Sequence, residues 1–155
     1  MERSEICRVL EACEFFTGLE KPDIEKIAGL CEVEIYDPGQ YVFRQGDTGD
    51  RIYIIAEGQV SLERAIDLGT RKGSVVIGML GKGRVLGCWS TLLAQPHNFM
   101  SSASCQKQTR VITLKGADLR HLMVRNERLG FKVLERLCFM LRDRIQGVYG
   151  AMERI

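Results

Sequence analysis

Six cysteines, two histidines and a hydroxyl-rich stretch are the groups in this 155-residue chain best suited to chemistry. The cysteines (Cys7, Cys13, Cys31, Cys88, Cys105, Cys138) are scattered, without a Cys-x-x-Cys pair, so neither a zinc site nor a disulfide framework is indicated. They are expected as reduced thiols, mostly packed in a core. The three nearest the N-terminus are too far apart for a compact iron–sulfur motif. Asp47 and Asp50 make a carboxylate pair, but in a turn their oxygens serve best as acceptors for nearby backbone N–H groups. No Ser-His-Asp order sits in a nucleophile-elbow context, and there is no P-loop and no histidine-rich metal pattern. The expectation is a protein that is not an enzyme and holds no metal.

Binding is better supplied than catalysis. The stretch from Leu86 to Cys105 runs LGCWSTLLAQPHNFMSSASC. Gly87 lets a backbone approach a ligand closely. Ser90 and Thr91 bring hydroxyls to the start of a short helical piece, where backbone donors are also free. Ser101, Ser102 and Ser104 add donors, although strand alternation turns only some of them inward. Trp89 is the sole tryptophan and is suited to stacking on a base or closing a pocket. The opposing reading is that Trp89 and Phe99 fill that volume themselves. His97 follows Pro96 here, whereas His121 lies in a helical stretch; a single histidine with no second ligand is more often structural.

These residues need a scaffold, and composition bounds it. The length suits one domain, 1–155, with a real core. A net charge of +2 is too small to argue for nucleic acid. No apolar run reaches membrane-spanning length and the first residues do not read as a signal peptide, so the cytoplasm is the expected compartment, with no membrane partner. Helical periodicity places Ile6, Val9, Leu10 and Cys13 on one face, and Pro22 at the first turn of a second helix carrying Ile24, Ile27 and Ala28. N-terminal helices are thus expected over 1–32, short strands over 33–115 and helices over 117–155. Many short strands between terminal helices suggest a small β-barrel or jelly roll.

The segment from Tyr36 to Leu62, YDPGQYVFRQGDTGDRIYIIAEGQVSL, is the most specific in the chain. Asp37-Pro38-Gly39 suits a type II turn, and Gln45-Gly46-Asp47 and Ala56-Glu57-Gly58 are further corners between β-rich runs. This order resembles the cyclic-nucleotide-binding domain family, which carries Pro-Gly, Gly-Asp…Asp and Gly at these points. The resemblance implies a mainly β fold with flanking helices: a double-stranded β-helix (jelly roll), N-terminal helices, a long C-terminal helix, and a phosphate cassette at 86–105. In that family the cassette helix and an arginine hold the cyclic phosphate, and a glutamate accepts the ribose hydroxyl. Cys88 stands at the glutamate position, and His97, Asn98 or Phe99 at the arginine position. A thiol is a weak partner and none of the three is a charged planar fork. Binding of cyclic AMP or GMP is therefore expected to be weak, altered or absent, at a candidate site of Gly87, Cys88, Trp89, Ser90, Thr91, His97, Asn98, Phe99 and Ser101. Haem, which some members of the wider family hold, is a minor alternative resting on His97.

The C-terminal helix carries a heptad. Phe131, Cys138, Ile145 and Met152 take one seam position; Leu134, Leu141, Val148 and Ile155 take the other. Val133, Leu137 and Met140 form a second apolar line that can face the chain's own body. The resemblance implies that the seam meets its twin in a homodimer. Gly147 and Gly150 weaken the helix or else permit close approach. From Lys115 to Ile155 there is no Ser or Thr, the small hydroxyl residues that relatives binding cyclic AMP often place near adenine. The expected protein is a stand-alone regulatory module coupling pocket occupancy to helix position and an unknown partner protein. Alternatives are the sensor half of a Crp/Fnr-type transcription regulator, whose helix-turn-helix has no room before Ile155, and a ligand-free dimerisation scaffold.

Overall fold

Helix α1 (Arg3–Ala12) buries Ile6 and Leu10 one turn apart, and α2 (Lys21–Ala28) buries Ile24, Ile27 and Ala28. Pro22 lies in the first turn of α2, where its missing N–H costs no helical bond. The computed structural model describes residues 1–154, the side chains of Trp89 and Ser90 apart. Ten strands follow: β1 (Glu32–Tyr36), β2 (Tyr41–Phe43), β3 (Thr48–Gly49), β4 (Arg51–Glu57), β5 (Val60–Asp67), β6 (Lys72–Leu80), β7 (Val85–Leu86), β8 (His97–Asn98), β9 (Ser102–Cys105) and β10 (Thr109–Lys115). Helix α3 (Trp89–Leu93) lies between β7 and β8, and α4 (Gly116–Arg125) and α5 (Glu127–Met152) close the chain. The expected strand and helix regions are all present. The strands form two four-stranded antiparallel sheets, β1-β10-β4-β7 and β2-β9-β5-β6, with a β3-β8 ribbon, rather than one closed barrel.

The period of two along the strands divides the apolar residues between two cores. Ile52, Ile54 and Ala56 of β4, with Ile112 and Leu114 of β10, face α1, α2, α4 and α5. Ile55 and Val111 point the other way, into the core between the sheets, with Val60, Leu62 and Ala103. Both faces of this sheet are covered, which explains why β4 and β10 read as nearly continuous apolar runs.

Two long-range features position α5. Asn126 ends α4 and caps α5, its Oδ1 accepting from Leu129 N at 3.2 Å. The chain can fold back there because Gly130 has no side chain: a Cβ would stand 2.9 Å from the Met123 carbonyl oxygen. Further along, Gly147 lets α5 lie directly on β6, where a Cβ would stand 2.7 Å from Ile77 O. Val133, Leu137 and Met140 are buried against the body of the chain, the face expected for them.

Candidate functional site

A cavity of about 670 Å³ opens between β7, the segment leading out of β8, and the distal half of α5. Gly87 and Cys88 form one edge; His97, Phe99, Met100 and Ser101 form another; Leu141, Arg144, Ile145, Val148 and Tyr149 of α5 form a wall. Phe43, Leu62, Arg64, Ile77, Val85 and Leu86 complete it.

Gly87 has φ +76, and a Cβ there would stand 2.7 Å from Arg51 O, so only glycine fits this corner without movement. Its neighbour Phe99 stacks on Phe43 with ring centroids 3.9 Å apart, and His97 meets Phe99 edge-on at 5.1 Å. Phe99 also lies flat over Gly49, where any Cβ would strike the ring. The phenylalanine thus fills part of the space between the sheets, as the opposing reading had it, yet a cavity remains beside it.

The strand that delivers Gly87 and Cys88 is held electrostatically. Glu14, just beyond α1, accepts from Val85 N through Oε1 at 2.8 Å and pairs with Arg84 Nε through Oε2 at 2.9 Å. Arg144 of α5 donates from Nη2 to Val85 O at 2.8 Å and lies 3.4 Å from Glu14 Oε1. One carboxylate therefore serves two guanidinium groups, and the cassette strand is bonded to both terminal helical regions. Cys88 is buried in this environment, at the edge of the cavity. Burial pushes its thiol up to about 11, with the nearby Arg144 charge pulling the other way, so it is neutral at physiological pH. Burial also lowers His97 from its usual value, favouring the uncharged ring, and its Nδ1 is buried without a hydrogen-bond partner among the described residues. Arg64 of β5 donates to the Met100 carbonyl and makes no ion pair among the described residues.

Of the candidate ligand residues, Gly87, Cys88, His97, Phe99 and Ser101 line the cavity together. Asn98 does not: it is exposed, and its Oδ1 accepts from Thr48 Oγ1 at 2.9 Å across the β3-β8 ribbon. Alternation explains this, since neighbours on β8 must point opposite ways. Thr91 is wholly buried away from the cavity, its hydroxyl without a partner among the described residues. The side chains of Trp89 and Ser90 lie outside the described part of the chain, as does Ile155 of the helix seam. Ser102 is engaged elsewhere, accepting from Gln45 N at 2.9 Å. Asp47 accepts from Arg44 N, the turn role expected for it. Among the described residues no group of three or more His, Cys, Asp or Glu could hold a metal, and no helix is long and apolar enough to cross a membrane.

Sequence reasoning missed Arg64, Arg144 and Glu14. Arg144 is salt-bridged and also part-buried at the cavity. Only the periodicity that put Leu141, Ile145 and Val148 on one face hinted that the turn between them reaches a site. Those three seam residues line the cavity, while Phe131, Leu134, Cys138 and Met152 are exposed without doing so.

Comparison with known proteins agrees with this fold. The chain is similar to a cAMP-dependent protein kinase regulatory subunit of Schizosaccharomyces pombe, 30% identical over 66% of this chain and 22% of that one. It spans 9% to 27% of the length of the first curated relatives it matches. Among solved structures, a cyclic nucleotide-binding domain from Methylobacillus flagellatus matches its fold with a TM-score of 0.76, at 22% identity over 99% of this chain and 82% of that one. The regulatory subunit of a cAMP-independent protein kinase A from Trypanosoma brucei matches with a TM-score of 0.72, at 23% identity over 90% of this chain and 47% of that one. Residues 33–126 match the sequence pattern of the cyclic nucleotide-binding domain, and the chain belongs to that family.

Proposed function

We propose that this chain is a small-ligand-sensing regulatory domain, dimeric through α5, whose altered cassette binds cyclic AMP and GMP weakly. The observation that carries the reading is the cavity itself, whose walls come both from the cassette and from Leu141 to Tyr149 of α5. A ligand seated there touches the helix that presents the exposed apolar seam. Occupancy and helix position are thereby coupled, by as much as the ligand's affinity differs between helix positions.

Weak nucleotide binding follows from two residues. Cys88 offers a buried neutral thiol where the family resemblance implies a carboxylate, and Asn98 is turned away from the cavity. Losing a charged partner in a binding site costs about 2–5 kcal/mol, a factor of tens to thousands in affinity. The solved relative from Trypanosoma is itself a regulatory subunit of a cAMP-independent kinase, which supports this fold serving regulation without dependence on cyclic AMP. The dimer rests on Phe131, Leu134, Cys138 and Met152, which leave an apolar stripe exposed on the single chain.

Calorimetric titration of cyclic AMP into the native protein and a V148W variant tests the site. Weak saturable heat in the native protein that is lost when tryptophan fills the cavity supports the reading. Heat that survives in V148W places binding elsewhere and overturns it.

A further inference from the structure

The cavity's own chemistry suits a different ligand from a nucleotide. Two guanidinium groups, Arg64 and Arg144, contribute to its lining, and among the described residues no carboxylate does. Among the described residues Glu14 is the only carboxylate within ion-pair distance of either, and it is shared between Arg144 and Arg84, which leaves that trio with one net positive charge. Arg64 has no counter-ion among the described residues. The site is therefore electropositive, with Arg64 exposed at its mouth and Arg144 part-buried in its wall, where a charge-assisted bond counts for more than in open water.

The remaining lining is overwhelmingly apolar. Leu62, Ile77 and Leu86 come from the sheets, and Ile145 and Val148 from the helix facing them. Apart from the two cations, side-chain polarity among the described lining residues is that of the Cys88 thiol, the Ser101 and Tyr149 hydroxyls and His97. A nucleotide brings ribose hydroxyls and a base edge, and each polar atom buried unpaired costs about 1–3 kcal/mol. A hydrocarbon body incurs no such cost. His97 Nδ1, buried and unpartnered, offers one further hydrogen bond.

We propose that the cavity takes an apolar monocarboxylate: a hydrocarbon or aromatic body lying along α5, with its carboxylate drawn to Arg64 and Arg144. This rests on the reading of the cavity as the sensing site and names the ligand class for it. Charge enters from β5 and α5, not from the cassette loop. The anion consequently contacts the helix that carries the dimer seam.

The test is calorimetry with phenylbutyrate and its uncharged counterpart phenylbutanol, alongside cyclic AMP, on the native protein and the R64Q and R144Q variants. Arg144 also bonds Val85 O and Glu14, so each variant is first shown to melt cooperatively; R64Q, on a strand surface, keeps the test open if R144Q fails to fold. The expected result is phenylbutyrate binding at least tenfold tighter than phenylbutanol and tighter than cyclic AMP. Each arginine variant should lose most of the preference for phenylbutyrate over phenylbutanol. Equal affinity for acid and alcohol, or an acid preference that survives both variants, overturns the assignment of charge recognition. Cyclic AMP binding in the absence of phenylbutyrate binding overturns this ligand class and leaves the sensing site standing. Absence of binding by all three compounds overturns both.

Discussion

Two glycines three residues apart on α5 should respond to alanine with opposite signs. In an open helix, Gly→Ala stabilises by about 0.5–1 kcal/mol through backbone entropy. Gly150 is in that situation: among the described residues, nothing beyond its own chain neighbours and the local helix backbone lies within 4 Å of the position its Cβ would take. At Gly147 the same atom would stand 2.7 Å from Ile77 O, a backbone atom of β6 that cannot swing aside. Overpacking of this kind costs about 1–3 kcal/mol, which outweighs the gain in propensity. We therefore expect G150A to gain about 0.5–1 kcal/mol and G147A to lose about 1 kcal/mol, each kcal/mol moving the melting midpoint by roughly 2–4 °C for a chain of this size. Urea and thermal denaturation of the two variants read this directly. G147A as stabilising as G150A would show that α5 does not rest on β6, and the cavity wall built from that contact would fall with it.

Three further outcomes follow. A C88E/H97R variant should bind cyclic AMP at least tenfold more tightly than the native chain, because residue 88 lies near Arg144 and residue 97 faces the cavity, whereas C88E/N98R should not; equal gains would contradict the orientation of β8. Burial holds His97 below its ordinary value, so on acidification the unfolded chain takes up the proton first. Stability should accordingly fall as pH drops through the ordinary histidine value towards the folded one and stay flat above it, and H97Q should abolish that slope in pH-dependent urea titrations. Cys138 is exposed on the seam, whereas Cys13 and Cys88 are buried with thiols pushed up to about 11. A thiol reagent should label Cys138 first, and more slowly as protein concentration rises and the seam pairs; labelling independent of concentration would count against the dimer.

The fold was legible because its signals are local. Asp37-Pro38-Gly39 and Gln45-Gly46-Asp47 set turns in which Gly39 and Gly46 do adopt positive φ, and the change from helical to alternating period marks where the strands begin. The glycine and thiol of the cassette were legible for the same reason. The two-residue strand β8 was not: too short to show alternation, it left the choice among His97, Asn98 and Phe99 open, and only pairing with Thr48 and Gly49 settles which of them faces inward. Arg64 and Arg144 were invisible as site residues because their roles depend on partners such as Glu14, 130 positions from Arg144. Long side chains on a polar helix face look alike in sequence whether they reach solvent or a cavity.

The measurement closest to the central claim is a cyclic AMP titration followed by amide chemical shifts. Our account predicts shifts concentrated at Gly87 to Cys88, His97 to Ser101 and Leu141 to Tyr149, saturating only in the high-micromolar to millimolar range. Tight saturation would contradict a weakened cassette, and shifts confined to other parts of the chain would contradict the cavity as the sensing site.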